Sequence, residues 1–388
     1  MQHLEPTRAA ALARIDALDL VRYARTRNAL DGHVSQLSPY LTHGLVTVAE
    51  VISRIGARAK LGWDDKFAFE LGWREYFQHI WRVLGDAIWQ SPRHAPAPQY
   101  FDAMPPDVLN ATTGVAIIDA SIHALYQNGY VHNHARMWLA SYVVHVRKID
   151  WRCGARWMYP HLLDGDLAAN TLSWQWVAGT WTGKPYIFNA ENVAKYAPGL
   201  DHRGTAIDVS YAEMDCIARS TEPLIEAAAQ RDRLTPYEPP ATVAPAEIAD
   251  LLHQTGFRIL QKLPEDFDGE LMHPWALGAR DPARHGIGLL LSDFHAQFPW
   301  NVARWQFVLR AMRESCDSIY LASAGDGAAI SKVSIRATYN PVYQKFVEFV
   351  RLHGGEVSAL PAAFADPSTL QRSFSSFWHR AMKEKFPS

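Results

Sequence analysis

The proline-rich stretch RDRLTPYEPPATVAPA (231–246) divides the sequence into two parts whose apolar residues recur with different periods. Proline fixes its own φ and offers no amide proton to a helix or a ladder, so such a run reads as a linker. Before it the spacing is helical throughout. Helices are expected over 8–30, 45–60, 64–89, 114–127, 132–150, 154–163 and 165–178, with no alternating strand pattern before about residue 200. After it, GIGLLLSDF (286–294), DSIYLASA (317–324) and EVSAL (356–360) read as strands, and 300–315, 341–355 and 368–385 as helices. Strand–helix alternation implies a parallel sheet with helices on its faces. The expected architecture is an all-α domain over 1–230, a linker over 231–246, and a smaller α/β domain of Rossmann-like order over 247–388.

The 388 residues suffice for two cores of ordinary size. No run reaches the ~18–20 apolar residues of a membrane helix, and the N-terminus lacks the apolar stretch of a secretion signal. The cysteines, Cys153, Cys216 and Cys316, are far apart. That spacing excludes a cysteine-ligated cluster and a disulfide framework, so a reducing, cytoplasmic setting and no metal site are expected. A net charge of −2 argues against general polyanion binding and leaves room for a local basic groove. The fourteen tryptophans suit a large aromatic core, cofactor stacking or electron transfer.

Three segments carry possible chemistry. In SQLSPYLTHG (35–44), Ser38 is expected to cap a helix started by Pro39. Free amides at a helix start suit a pyrophosphate; an ordinary cap accounts for the same residues. In ELGWREYF (70–77), Glu70, Trp73, Arg74 and Phe77 share a helix face. A surface ion pair beside an aromatic stripe would look alike. The third segment, 113–176, places Asn133, His134, Arg136 and Met137 together, then Asp164 and Asp166 at a helix start with Asn170 a turn later. Carboxylates there offset the helix dipole; the added arginine, amide and indoles (Trp174, Trp176) exceed what packing asks for.

Taken in order, SQLSPYL, ELGWREYF, TGVAIIDA, GYVHNHARM, IDWR and DGDLAANTLSWQW resemble the signatures of the photolyase/cryptochrome flavin domain over residues 20–200. The resemblance implies an all-α domain holding FAD in a bent form, with a cavity for a flipped pyrimidine dimer. Tyr23, Ser35, Leu37 and Ser38 match its phosphate and ribityl contacts. Arg74 and Arg136 match its basic flavin-side residues, with Arg136 paired to Asp164. Asp164 and Asp166 flank the isoalloxazine, Asn170 faces flavin N5, and Asn133 borders both cofactor and substrate. Glu70, Trp73, Asn133, Met137 and Trp176 match the dimer pocket, with Glu70 and Asn170 in catalytic roles.

The resemblance further implies an electron chain through Trp174 and Trp151. Its outer member belongs near residue 98, where APAPQYF offers Tyr100 but no Trp; Trp157, Trp138 and Trp181 are off-pattern substitutes. The implied function is light-driven repair of cyclobutane pyrimidine dimers by a monomer acting on ultraviolet-damaged DNA. A cryptochrome-like blue-light photoreceptor without repair is the alternative. Arg147, Lys148, Arg152 and Lys184 are candidates for a basic DNA-facing rim. Departures are visible as well: the α/β pattern follows the flavin motifs as though the order were swapped, Tyr130 stands where many relatives carry Trp, and His134 where many carry Arg. The turns SDF (292–294) and SAGDG (323–327) sit at strand ends, with no ligand or antenna pigment assigned to them.

Overall fold

The computed structural model describes residues 4–59, 61–62, 64–91, 100–224, 234–264, 267–278, 284–323, 335–352, 354–364 and 366–385. Helices α1 (Arg8–Asp16), α2 (Leu20–Thr26), α3 (Ser38–Thr42), α4 (Val48–Gly56) and α5 (Lys66–Leu84) open the chain. There follow α6 (Pro106–Leu109), α7 (Ala116–Asn128), α8 (Asn133–Ser141), α9 (Trp151–Met158), α10 (Leu167–Ala178), α11 (Ala190–Tyr196) and α12 (Tyr211–Arg219). The expected helices of this part are present with shifted ends. The 8–30 helix is two, because Asp19 caps a new start by accepting from the Arg22 amide. The 132–150 helix becomes a π-turn at Tyr142–Val146 and ends at Lys148, whose φ is +56°.

The contact pattern gives two compact units that are discontinuous in sequence, unlike the linear division at 230 and 246. One comprises residues 19–34 and 84–240; the other comprises 1–18, 35–83 and 241–388.

The first unit is helical and its core gathers on Trp138, Tyr142, Trp151 and Trp174 with the apolar faces of α7 to α10. Its helix ends are set locally. Asp150 accepts from the Arg152 amide to start α9 and Asp166 from the Ala169 amide to start α10. Gly129 (φ +60°) and Gly179 (φ +78°) terminate α7 and α10 in the left-handed conformation that favours glycine.

The second unit holds a six-stranded, all-parallel sheet in the order β1-β4-β3-β2-β5-β6. The strands are β1 (Arg258–Leu260), β2 (Gly269–Met272), β3 (His285–Leu291), β4 (Ser318–Ala322), β5 (Ile335–Thr338) and β6 (Glu356–Ser358). From β2 the chain steps outward through β3 and β4, then returns to β5 and β6 on the other side. That is the Rossmann-like reversal, with β1 added at the β4 edge. β3 is buried from Gly286 to Leu291, as a central parallel strand must be.

Helices α13 (Ile248–Gln254), α14 (Ser292–Gln297), α15 (Val302–Arg313), α16 (Gln344–Leu352) and α17 (Phe374–Lys385) complete this part. Ligands of such sheets bind where the strand order reverses. Here the β2/β5 carboxyl ends carry the buried His273, whose Nε2 meets the Thr338 carbonyl at 2.8 Å and whose ring stacks on Tyr343 at 4.5 Å. SDF lies at the end of β3 as expected; SAGDG runs into 324–334, outside the described residues. So does the part of the expected linker at 231–233; the rest of it leads into a bridge between Thr242 and Asn301.

Candidate functional site

In the helical unit α10 packs against both α8 and α9. α10 starts at Asp166, and the loop before it is fixed by the Leu163 amide donating to the Gly129 carbonyl at 2.8 Å. A side chain at Gly129 would strike Leu163 Cγ at 2.6 Å, so the close approach of these two loops requires glycine. The loop delivers Asp164 to Arg136 on α8. Arg136 Nη2 donates to Asp164 Oδ1 and Oδ2 at 2.9 and 2.8 Å, and its Nε donates to the Val131 carbonyl at 2.8 Å. The Tyr130 ring lies 5.5 Å from the guanidinium carbon. The Asp164 side chain is 4% exposed and that of Arg136 is 22% exposed. The pair read from DGDLAAN and HNHARM is therefore formed.

One turn into α10, the buried Asn170 donates its amide to the Ala155 carbonyl of α9 at 2.8 Å, which pins its carboxamide. Thr171 Oγ1 beside it and His132 Nε2 at the head of α8 are buried without a hydrogen-bond partner among the described residues. Burial, with the charges of His134 and Arg136, pushes His132 down to about 4. Asn133 is exposed, and its amide nitrogen stands 3.8 Å from Met137 Sδ one turn along. Trp176 is half-buried against Tyr186, ring centres 5.5 Å apart. A guanidinium, two buried carboxylates and a carboxamide, beside the unpartnered Thr171 hydroxyl and the His132 Nε2–H, whose Nδ1 accepts from the His134 amide, suit the alternating carbonyl and N–H edge of a flavin ring.

The indoles are packed closely. Trp174 is buried and lies on α9 at Gly154, where an added Cβ would come within 2.2 Å of its ring. Trp151 is fully buried. Its outward neighbour is Trp89, after α5, with parallel planes 8° apart and centroids 6.2 Å apart. Trp89 is half-buried, its carbonyl accepts from Arg152 Nε at 2.8 Å, and Arg156 lies 5.2 Å from its ring. Trp89 stands on no family spacing and so carries no mark in the sequence; the position near 98 lies in 92–99, outside the described residues. Of the substitutes considered, Trp157 donates to Tyr126 Oη and Trp138 to Asn192 Oδ1, and Tyr100 packs partly buried on the core.

Two of the proposed rim cations are not available to DNA. Arg147 is buried and paired with Asp107 at 2.6 Å. Lys148 is fully buried; its Nζ donates to the Ile217 and Ala218 carbonyls at the end of α12, a favourable place for a cation. Burial lowers it to about 8. Arg152 is committed to Asp150 at 3.0 Å, and Lys184 is exposed.

The remaining motif residues are held by two other parts of the chain. Tyr23 is buried in α2 of the helical unit. In the sheet-bearing unit, Ser38 does not cap: Leu37 occupies the cap position with no side-chain bond, and Ser38 is the first helical residue. The cause is Gln36, whose φ of +51° bends the chain so that Ser35 Oγ accepts from the Leu37 amide at 3.4 Å instead. Arg74 on α5 donates to Thr42 Oγ1 at 3.2 Å. Glu70 and Trp73 share the α5 face, but Trp73 does not present an open ring there: Phe374 stacks on it at 4.0 Å. Among the described residues no group of three His, Cys, Asp or Glu is placed to hold a metal, and no helix is long and apolar enough to cross a membrane.

Residues 67–220 match the family model described as the FAD binding domain of DNA photolyase. A deoxyribodipyrimidine photo-lyase of Streptomyces griseus is 38% identical over 161 residues, covering 39% of this chain and 35% of that protein. One of Salmonella typhimurium is 32% identical over 217 residues, covering 51% and 44%. A cryptochrome DASH of Vibrio parahaemolyticus is 31% identical over 169 residues, covering 40% and 37%. The chain spans less than half the length of these relatives. The segment at residues 67–220, which holds the buried Arg136–Asp164 pair, is thus similar in sequence to the FAD-binding domain of DNA photolyases.

Proposed function

We propose that this chain holds FAD non-covalently and uses blue light to split cyclobutane pyrimidine dimers in ultraviolet-damaged DNA. The observation that carries the reading is the buried Arg136–Asp164 pair with Asp166 and Asn170 on the helix that also bears Trp174. FAD, reduced and bound, supplies the light-driven electron chemistry. Arg136, Asp164, Asp166 and Asn170 orient the ring; Tyr23, Ser35, Leu37, Ser38 and Arg74 serve the ribityl and phosphate side. The Glu70 carboxylate accepts a hydrogen bond from the pyrimidine imide, and Trp73, Asn133, Met137 and Trp176 wall the extruded base. Dimer-containing duplex should bind more tightly than intact duplex, because unpairing a damaged base costs less. Equal affinity in a filter-binding titration contradicts the repair reading.

The electron supply follows from the indole stack. Trp89, half-buried and parallel to Trp151, is the solvent-side member of a path through Trp151 to Trp174. Under illumination of the oxidised protein with excess thiol, Trp89→Phe, Trp151→Phe and Trp174→Phe should each slow flavin bleaching at least tenfold, the effect of roughly 1.4 kcal/mol on a barrier. Trp300→Phe, in the other unit, should bleach as the wild type does. Wild-type rates in Trp151→Phe and Trp174→Phe would show the path to be elsewhere.

A photoreceptor that does not repair DNA is the second reading, and one observation favours it: the ring of Phe374 already covers Trp73.

A further inference from the structure

We propose that residues 366–381 are an intramolecular occupant of the stacking face of Trp73, which an extruded base has to displace; this rests on the reading of Trp73 as a base-stacking residue. The Phe374 and Trp73 rings lie 10° from parallel with centroids 4.0 Å apart, the arrangement a pyrimidine adopts on an indole. Phe374 also meets Phe69 edge-on at 4.7 Å and Tyr76 at 5.8 Å. Phe377 lies against Tyr76 and His79, each at 5.5 Å. Trp378 seats on α5 at Gly72, where an added Cβ would come within 2.2 Å of its ring. The helix α17 thus fits α5 through a glycine and a flat aromatic contact.

The segment is tied at its start by polar groups. Asp366 accepts from His79 Nδ1 and from Arg82 Nη2, both at 2.8 Å. The Gln371 amide donates to His79 Nε2 at 3.1 Å, which leaves the His79 proton on Nδ1, pointed at Asp366. Asp366 is 41% exposed and Arg82 31% exposed, so the tie sits at the edge of the contact, open to water, while the ring stack lies inside it. A base and Phe374 each offer one flat ring to the same indole face, and only one can occupy it.

The test measures binding of a single-stranded oligonucleotide carrying one cyclobutane thymine dimer by fluorescence anisotropy. Phe374→Leu, which keeps the bulk and loses the flat ring, should bind roughly three- to tenfold more tightly than wild type, the span of a lost aromatic pair. Asp366→Asn, which loosens the tie and leaves every ring in place, should shift affinity the same way. The gain should vanish when Trp73→Leu is added to Phe374→Leu. In the wild type, saturating oligonucleotide should accelerate amide exchange across 366–381. Equal affinities for wild type, Phe374→Leu and Asp366→Asn, with dimer still preferred over intact strand, overturn the occupant while leaving the repair reading standing. Unchanged exchange in 366–381 on binding does the same. No preference for the dimer in any variant overturns the repair reading and the occupant with it.

Discussion

Asp164→Ala should leave purification with little or no flavin. Arg136 is held by Asp164 through two hydrogen bonds, and the carboxylate is 4% exposed. Removing it leaves a guanidinium in a largely buried place with the Val131 carbonyl and the Tyr130 ring as its remaining partners among the described residues. Breaking a buried pair from one side costs about 3–5 kcal/mol. Arg136 is 22% exposed, so the lower end applies, roughly 3 kcal/mol or a hundredfold in an equilibrium constant. Much of that falls on the ring site, because the same loop sets the start of α10 and hence Asp166 and Asn170. Flavin absorbance per protein after desalting is the measurement, with circular dichroism to check the helices. Asp164→Asn, which keeps an acceptor, should lose less. Full flavin occupancy in Asp164→Ala would remove the pair from the cofactor site.

Stability should fall steeply as pH drops from about 6.5 toward 4. Burial pushes His145, His161 and His273 down to about 4, as it does His132, and His295 to about 3. Each is neutral when folded and takes a proton readily once unfolded. Between the folded and unfolded values the unfolded chain binds more protons, so stability rises with pH there and is lost on acidification. Each such histidine contributes up to ~1.4 kcal/mol per pH unit. Five together approach ~7 kcal/mol per unit, which exhausts an ordinary stability of ~5–15 kcal/mol within one to two units. Thermal melts followed by circular dichroism from pH 7.5 to 4.5 should show Tm collapsing below about pH 6. A flat Tm down to pH 5 contradicts the neutral, buried state of these rings.

The helices of the first part were legible because their apolar spacing repeats over several turns, and the Arg136–Asp164 pair because both partners sit in long motifs. Strands β1, β2 and β5 were not. Each spans three or four residues, too short for a period to show, and β2 carries Gly269 and Glu270. Ser38 looked like a cap because Pro39 follows it; the positive φ of Gln36, invisible in the sequence, moved the cap position to Leu37. Arg147 and Lys148 looked exposed as charges at a helix end. The π-turn rotates that end into the core, where Asp107 and the α12 carbonyls take them. Trp89 and Phe374 were missed for another reason. Their partners, Trp151 and Trp73, are 62 and 301 positions away, and no local pattern encodes such a pairing.

Light-driven repair is tested most directly by one assay. Purified protein with its flavin reduced is mixed with an oligonucleotide carrying one cyclobutane thymine dimer, then split between blue light and darkness. The dimer should disappear in the light and persist in the dark, with each protein molecule clearing more than one dimer. Dimer that persists equally in both samples, with the flavin bound and reduced, contradicts the account.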